Sequence, residues 1–222
     1  MAAGLAGGSG NGAAVLHALN YIWNAGLSVK ELCNIGVKLG ADVPFCIMGQ
    51  AKGNPQLGRA IREDALASTC AYAEGIGEQL TPVTPLCCDV LLSKPALGIS
   101  TAEVYRGIDA ELGLEKPEYQ GGITMLQYHV DTKELINGLN SKNYDKVVKN
   151  MANILELFST KRYPIIMYTK NKIDQEGSAA KVLMSGSGPT VFAIYFEKSE
   201  IEKDYKLLCE MNKETYITKT LA

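Results

Sequence analysis

Tyr144, Val147, Val148, Met151, Ile154, Leu155 and Phe158 recur at steps of three and four, a spacing that predicts one continuous amphipathic helix. Pro164 suits the first turn of a following helix that ends before Gly177. Near the amino terminus Val15, Leu16, Leu19, Ile22 and Trp23 fall on one helical face, and this helix is expected to stop near Ala25-Gly26. Ser28 and Glu31 read as a capping box for a second helix, with Leu32, Ile35, Gly36 and Leu39 inward. Short apolar runs at residues 43–48, 88–93, 181–184, 190–196 and 215–220 read as strands, and Ser199 with Glu202 as the cap of a last helix.

The periodicity fails over residues 50–69, where Lys52-Gly53-Asn54-Pro55 is turn-like and residues 59–66 could form a short charged helix. A surface excursion is expected there, since the closure entropy of a longer loop grows slowly with its length. Thr81-Pro82-Val83-Thr84-Pro85 punctuates the chain and places a domain boundary near residue 86, dividing it into 1–86 and 87–222. Interleaved helices and strands on both sides indicate an α+β architecture.

Composition narrows the chemistry. With 46% hydrophobic residues in 222 and a formal charge of −2, the chain is globular and has no basic field for nucleic acid or anionic lipid, so anion binding must be local. Six cysteines lie at 33, 46, 70, 87, 88 and 209 without a Cys-x-x-Cys pair and beside only two histidines, so zinc-ligand spacing is absent, no metal ligands are assigned and a reducing cytoplasm is expected. Cys87 and Cys88 read as small buried thiols; His17 and His129 carry no partner pattern. No apolar run approaches the roughly 20 residues of a membrane span.

Local anion chemistry is offered by Gly4-Leu5-Ala6-Gly7-Gly8-Ser9-Gly10-Asn11, which runs straight into the first helix. Glycines let successive N–H groups converge on a phosphate, and a helix start adds unpaired donors and a positive dipole end. Ser9 and Asn11 are equally suited to helix capping. A second glycine loop, Ser185-Gly186-Ser187-Gly188-Pro189-Thr190, joins two strand-like runs. Asp42, in Gly40-Ala41-Asp42-Val43-Pro44-Phe45, falls at a helix-to-strand junction and reads either as a loop-borne catalytic acid or as a turn-forming one. Neither glycine loop has the spacing of a Walker A or a Rossmann motif.

Together these three segments resemble the signature motifs of the GHMP small-molecule kinases. Ala73-Glu74-Gly75-Ile76-Gly77-Glu78 and Lys94-Pro95 followed by Ser100-Thr101-Ala102-Glu103-Val104-Tyr105 are similar to those members that phosphorylate 4-diphosphocytidyl-2-C-methyl-D-erythritol in non-mevalonate isoprenoid synthesis. The resemblance implies a two-domain fold with a ferredoxin-like α/β sandwich in the second domain, ATP and Mg2+ as cofactors, and a small-molecule substrate. It assigns the ATP phosphates to Gly4, Leu5, Ala6, Gly7, Gly8, Ser9, Gly10 and Asn11, and catalysis to Asp42 as base or orienting group. Positioning falls to Ser185, Gly186, Ser187 and Gly188, and substrate contact to Ser100, Thr101 and Tyr105. Residues 50–69 depart from the family pattern as an insertion. The family also carries strands, a lysine and much of the cytidine pocket ahead of the phosphate loop, so this chain is expected to have little activity by itself. A non-catalytic binding module, or a sister kinase of homoserine, mevalonate or a sugar, is the alternative.

Overall fold

A computed structural model describes residues 3–113, 130–197 and 201–221, which fall into two compact units. One unit holds residues 6–87 and Leu221; the other holds residues 3–5 and residues 88–220.

In the first unit α1 (Gly7–Ile22), α2 (Val29–Gly36) and α3 (Val43–Gly53) pack on one another, followed by α4 (Arg59–Arg62) and an antiparallel hairpin of β1 (Ala71–Glu74) and β2 (Gln79–Pro82). The capping box opens α2 as its sequence indicates: Ser28 Oγ accepts from Glu31 N, and the Glu31 carboxylate accepts from Ser28 N at 2.8 Å. The expected inward stripes do not hold. On α1 the buried residues are Ala13 and His17, with Leu16 beside them, whereas Val15, Ile22 and Trp23 are 56%, 69% and 70% exposed. The small side of α1 takes the contact: Ala13 is fully buried in the cluster with Val43 and Ile47 of α3, and a Cβ on Gly12 would meet Val43 at an ordinary 3.9 Å. On α2 the buried set is Val29, Leu32, Cys33 and Gly36, leaving Ile35 and Leu39 exposed. Burial pushes the Cys33 thiol up to about 11.

Two further expectations change in this unit. The run 43–48 is the start of a helix, not a strand, and its buried residues Val43, Pro44, Ile47, Met48 and Ala51 follow helical spacing into a stretch that reads as a turn. Six apolar residues cannot distinguish a buried strand from a buried helix, while Pro44 in the first turn favours the helix. Residues 50–69 are not a detached excursion either. Ile61, Leu66 and Ala67 pack against the core, and Asp64 Oδ2 accepts from Val29 N at 3.2 Å.

The second unit is built on a four-stranded antiparallel sheet in the order β4 (Lys181–Met184), β5 (Val191–Tyr195), β3 (Asp89–Lys94), β6 (Glu214–Lys219). This is the strand order of a ferredoxin-like sandwich. Val191, Ala193 and Tyr195 alternate into the core with Leu91 and Met184, meeting Ile166 and Ile173 of α9 (Pro164–Glu176) and Leu208 of α10 (Ile201–Cys209). Asn212 Nδ2 donates to Ser93 Oγ at 3.0 Å and Thr169 Oγ1 at 3.3 Å, tying α9 to β3 through a buried polar cluster. Helices α5 (Thr101–Leu112), α6 (Thr132–Ser141), α7 (Tyr144–Lys149) and α8 (Glu156–Arg162) complete the unit.

The long helix expected from Tyr144 to Phe158 is two helices, α7 and α8, interrupted between Asn150 and Leu155. Asn153 Oδ1 accepts from Leu155 N at 3.0 Å, a local side-chain bond that competes with helix continuation. None of the six cysteines is in a disulfide, and Cys87 is exposed rather than buried. Ser199 and His129 lie outside the described residues. Among the described residues no helix is long and apolar enough to cross a membrane.

Candidate functional site

Residues of the first glycine run are divided between the two units. Gly4 and Leu5 belong with residues 88–220, and Ala6 onward with α1. Helix α1 begins at Gly7, so Gly7, Gly8, Ser9 and Gly10 form its first turn instead of a loop before it. Neither Ser9 nor Asn11 is the cap. Ala6 is, at a left-handed φ of 49°, with no side-chain cap bond and no acidic residue in the first turn. Gly10 N makes the first backbone bond, to Ala6 O at 2.8 Å. Among the described residues the N–H groups of Gly7, Gly8 and Ser9 therefore have no acceptor. A Cβ on Gly7, Gly8 or Gly10 would meet nothing within 4 Å, so the helix start is open to a ligand. Gln50 of α3 fixes this turn by donating from Nε2 to Gly10 O at 2.8 Å.

Asp42 is the exposed residue at the start of α3, and its carboxylate caps no backbone N–H. Behind it, Gly77 at the hairpin tip holds φ +119°, where a Cβ would stand 2.5 Å from Ala41 O. The Gly75-Ile76-Gly77-Glu78 turn thus lies against the residue before Asp42. Glu78 braces the turn by accepting from Ile76 N at 2.8 Å, and backbone N–H groups of Glu78 itself and of Ile76 hold its carboxyl below the usual glutamate value.

In the other unit the loop from Ser185 to Gly188 sits between β4 and β5. Ser185 Oγ donates to Gly4 O and Thr190 Oγ1 to Ala3 O, both at 2.6 Å, so the first glycine of the chain is bonded to the second glycine loop. Gly4 holds φ +72°, and any Cβ there would overlap Ser185 O. Thr101 Oγ1 and Ser187 Oγ are 2.9 Å apart and share a hydrogen bond. Ser100 caps α5 by accepting from Glu103 N at 3.4 Å. Tyr105 is 54% exposed and stands one turn beyond Thr101 on the same helix face.

The backbone of this loop is asymmetric. The carbonyls of Met184 and Gly186 both accept from Asn153 Nδ2 at 2.8 Å, Ser185 O accepts from Gly188 N at 2.9 Å, and Ser187 O accepts from Ser159 Oγ at 3.3 Å. Among the described residues the adjacent N–H groups of Gly186 and Ser187 have no acceptor. Consecutive unpaired N–H groups around a glycine at φ +54° form a concavity suited to an anion.

Family models match at both ends of the chain, GHMP kinases N terminal domain over residues 1–50 and GHMP kinases C terminal over residues 134–214. The chain is 37% identical over 222 residues to the 4-diphosphocytidyl-2-C-methyl-D-erythritol kinase of Alkaliphilus oremlandii (strain OhILAs), covering 99% of this chain and 65% of that relative. It is 35% identical to the enzyme of the same name from Clostridium botulinum (strain Eklund 17B / Type B), covering 100% of this chain and 68% of the relative. The chain belongs to this kinase family within the GHMP superfamily. It spans about two thirds of the length of these curated relatives, 65% of the first. A crystal structure of a 4-(cytidine 5'-diphospho)-2C-methyl-D-erythritol kinase superposes with a TM-score of 0.65 at 24% identity, covering 98% of this chain and 66% of that one, which supports the fold.

As a GHMP kinase chain, it gathers the sequence-predicted residues into two groups. Ala6 to Asn11 and Asp42 lie on one unit; Gly4, Leu5, Ser100, Thr101, Tyr105 and Ser185 to Gly188 lie on the other. The sequence reading missed Gln50, Asn153 and Ser159, polar residues in or beside apolar runs whose partners are backbone carbonyls far along the chain. Open N–H groups at the start of α1 fit a phosphate. No group of three His, Cys, Asp or Glu placed to hold a metal ion occurs among the described residues.

Proposed function

We propose that the chain carries the phosphoryl-transfer chemistry of an ATP-dependent kinase whose substrate is 4-diphosphocytidyl-2-C-methyl-D-erythritol. The observation that carries this reading is 35% identity along 100% of the chain to a relative bearing that activity as its name. The 2-hydroxyl of the substrate attacks the γ-phosphorus of ATP, the bond to the bridging oxygen breaks, and ADP leaves. Asp42, an exposed carboxylate with no capping duty, receives or aligns the hydroxyl proton. The N–H groups of Gly7, Gly8 and Ser9 bind phosphate oxygens, and the helix start favours their charge. Mg2+ bound to the nucleotide neutralises charge on the transferred group. Ser187 and Thr101, joined by their hydroxyls, and the exposed ring of Tyr105 present a polar and stacking surface to the substrate.

Incubation of the chain with ATP, Mg2+ and diphosphocytidyl-methylerythritol, following ADP and phosphorylated product together, tests the reading. Coupled formation of both is expected once the chain is joined to the segment that its longer relatives carry ahead of the phosphate loop, with little from the chain by itself, and Asp42→Asn in the joined protein is expected to lower kcat by about two to four decades with the KM for ATP little changed. Nucleotide hydrolysis without product, or parent-like turnover in Asp42→Asn, would remove this assignment.

A further inference from the structure

The loop after β4 presents its N–H groups only because its carbonyls are held, and one side chain holds two of them. A peptide unit is planar and trans, so the Gly186 carbonyl and the Ser187 N–H lie in one plane and point in opposite directions. Gly186 lies at φ +54°, and a glycine there lets that plane turn over at small steric cost. If it turned, a carbonyl oxygen would stand where the N–H now stands, and the loop would repel an anion. Asn153 Nδ2 opposes this by donating to Gly186 O at 2.8 Å and to Met184 O at 2.8 Å.

We propose that Asn153 is a positioning residue for phosphoryl transfer, holding the Met184–Ser185 and Gly186–Ser187 peptide planes so that the Ser187 N–H group, beside that of Gly186, remains free for a phosphate-bearing ligand. This rests on the kinase reading above. Three neighbours act in the same sense. Asn153 Oδ1 accepts from Leu155 N at 3.0 Å, which starts α8 at the register that brings Glu156 and Ser159 to the loop. Glu156 Oε1 accepts from Met184 N at 2.6 Å, and its other oxygen is paired with Lys170, a buried ammonium. Ser159 Oγ donates to Ser187 O at 3.3 Å. The interruption between α7 and α8 thereby has a role: an unbroken helix would bond its own backbone there and leave the loop carbonyls unclaimed.

Asn153→Asp separates the two duties of this side chain. It keeps the oxygen that caps Leu155 but sets a carboxylate oxygen against two carbonyls. In the full chain, amide exchange at Ser185 and Gly188, whose N–H groups are bonded within the loop, is expected to quicken about tenfold, the scale of one lost hydrogen bond, while Leu155 keeps its protection. In the joined protein of the kinase test, with ATP, Mg2+ and diphosphocytidyl-methylerythritol, kcat is expected to fall about tenfold or more, with the thermal midpoint close to the parent's. A merely structural asparagine would move the midpoint and spare kcat. Should Asn153→Asp fail to fold, Asn153→Ser keeps a short capping oxygen without charge and cannot reach the loop, and it carries the same expectations. Parent-like exchange at Ser185 and Gly188 overturns the proposal, as does a loosened loop with parent-like kcat. Absence of turnover in the joined parent protein would instead count against the kinase reading, and the exchange measurement would still decide whether Asn153 holds the loop.

Discussion

Gly77 combines a φ of +119° with a distance of 2.5 Å between its absent Cβ and Ala41 O, so neither its backbone nor its surroundings admit a side chain. Gly77→Ala is therefore expected to cost about 1–3 kcal/mol, the usual range for strain of this kind, read as a lower urea midpoint. Because the displaced neighbour precedes Asp42, kcat should fall as well; an unchanged midpoint would mean that the hairpin tip does not press on Ala41. At this scale Gly4 and Gly77 were legible in the motifs that hold them, since only glycine tolerates their conformations and approaches. The cap of α1 was not. Ser9 and Asn11 have capping side chains, yet Ala6 takes the position at φ 49°, because the open glycine turn leaves its donors unpaired. Asn153 was also hidden, for its spacing fits a helix face and its partners Met184 and Gly186 are about thirty residues away, at separations of 31 and 33.

Leu66 shows at the scale of elements why residues 50–69 are part of the fold. It packs with Ile61 and Ala67 against the core that α2 and α3 share, and Asp64 between them accepts the first N–H of α2. Leu66→Ala should destabilise the unit by about 1–2 kcal/mol, taking roughly 0.8 per methylene and allowing for half burial. Thermal unfolding followed by circular dichroism checks this, and a parent-like midpoint would restore the view of the segment as a loop outside the core. Elements flanked by strong punctuation were readable in sequence. The helix from Pro164 to Gly177, the capping box of α2 and the strands of the four-stranded sheet each carry a local signal that packing does not override. The run 43–48 lacked one, and the apolar stripes of α1 and α2 misled because helix faces here meet through small residues. A Cβ on Gly36 would come within 2.7 Å of Ile47 and 2.9 Å of Val43, so close backbone approach, rather than the largest apolar side chains, selects the buried side.

Over the whole molecule, residues 88–220 own a complete antiparallel sheet, two helices against it and a continuous core, so the excised segment is expected to unfold in one cooperative transition. Its midpoint should lie below that of the same unit in the full chain, because residues 3–5 supply the Ala3 and Gly4 carbonyls that Thr190 and Ser185 bond. Calorimetry on both chains tests this; a broad, non-cooperative melt of residues 88–220 would show that the unit depends on more of the chain than those carbonyls. The same two bonds set an order of events during synthesis. Ala3 and Gly4 leave the ribosome well before their partners, which follow 187 and 181 residues later. Helix α1 and its neighbours can fold early through local contacts, while the backbone leading into α1 must wait for the β4–β5 turn to emerge. Nascent chains would therefore acquire the helix start before the backbone leading into it is anchored, and a ribosome-bound intermediate stalled before residue 185 should present α1 with its preceding glycine still free.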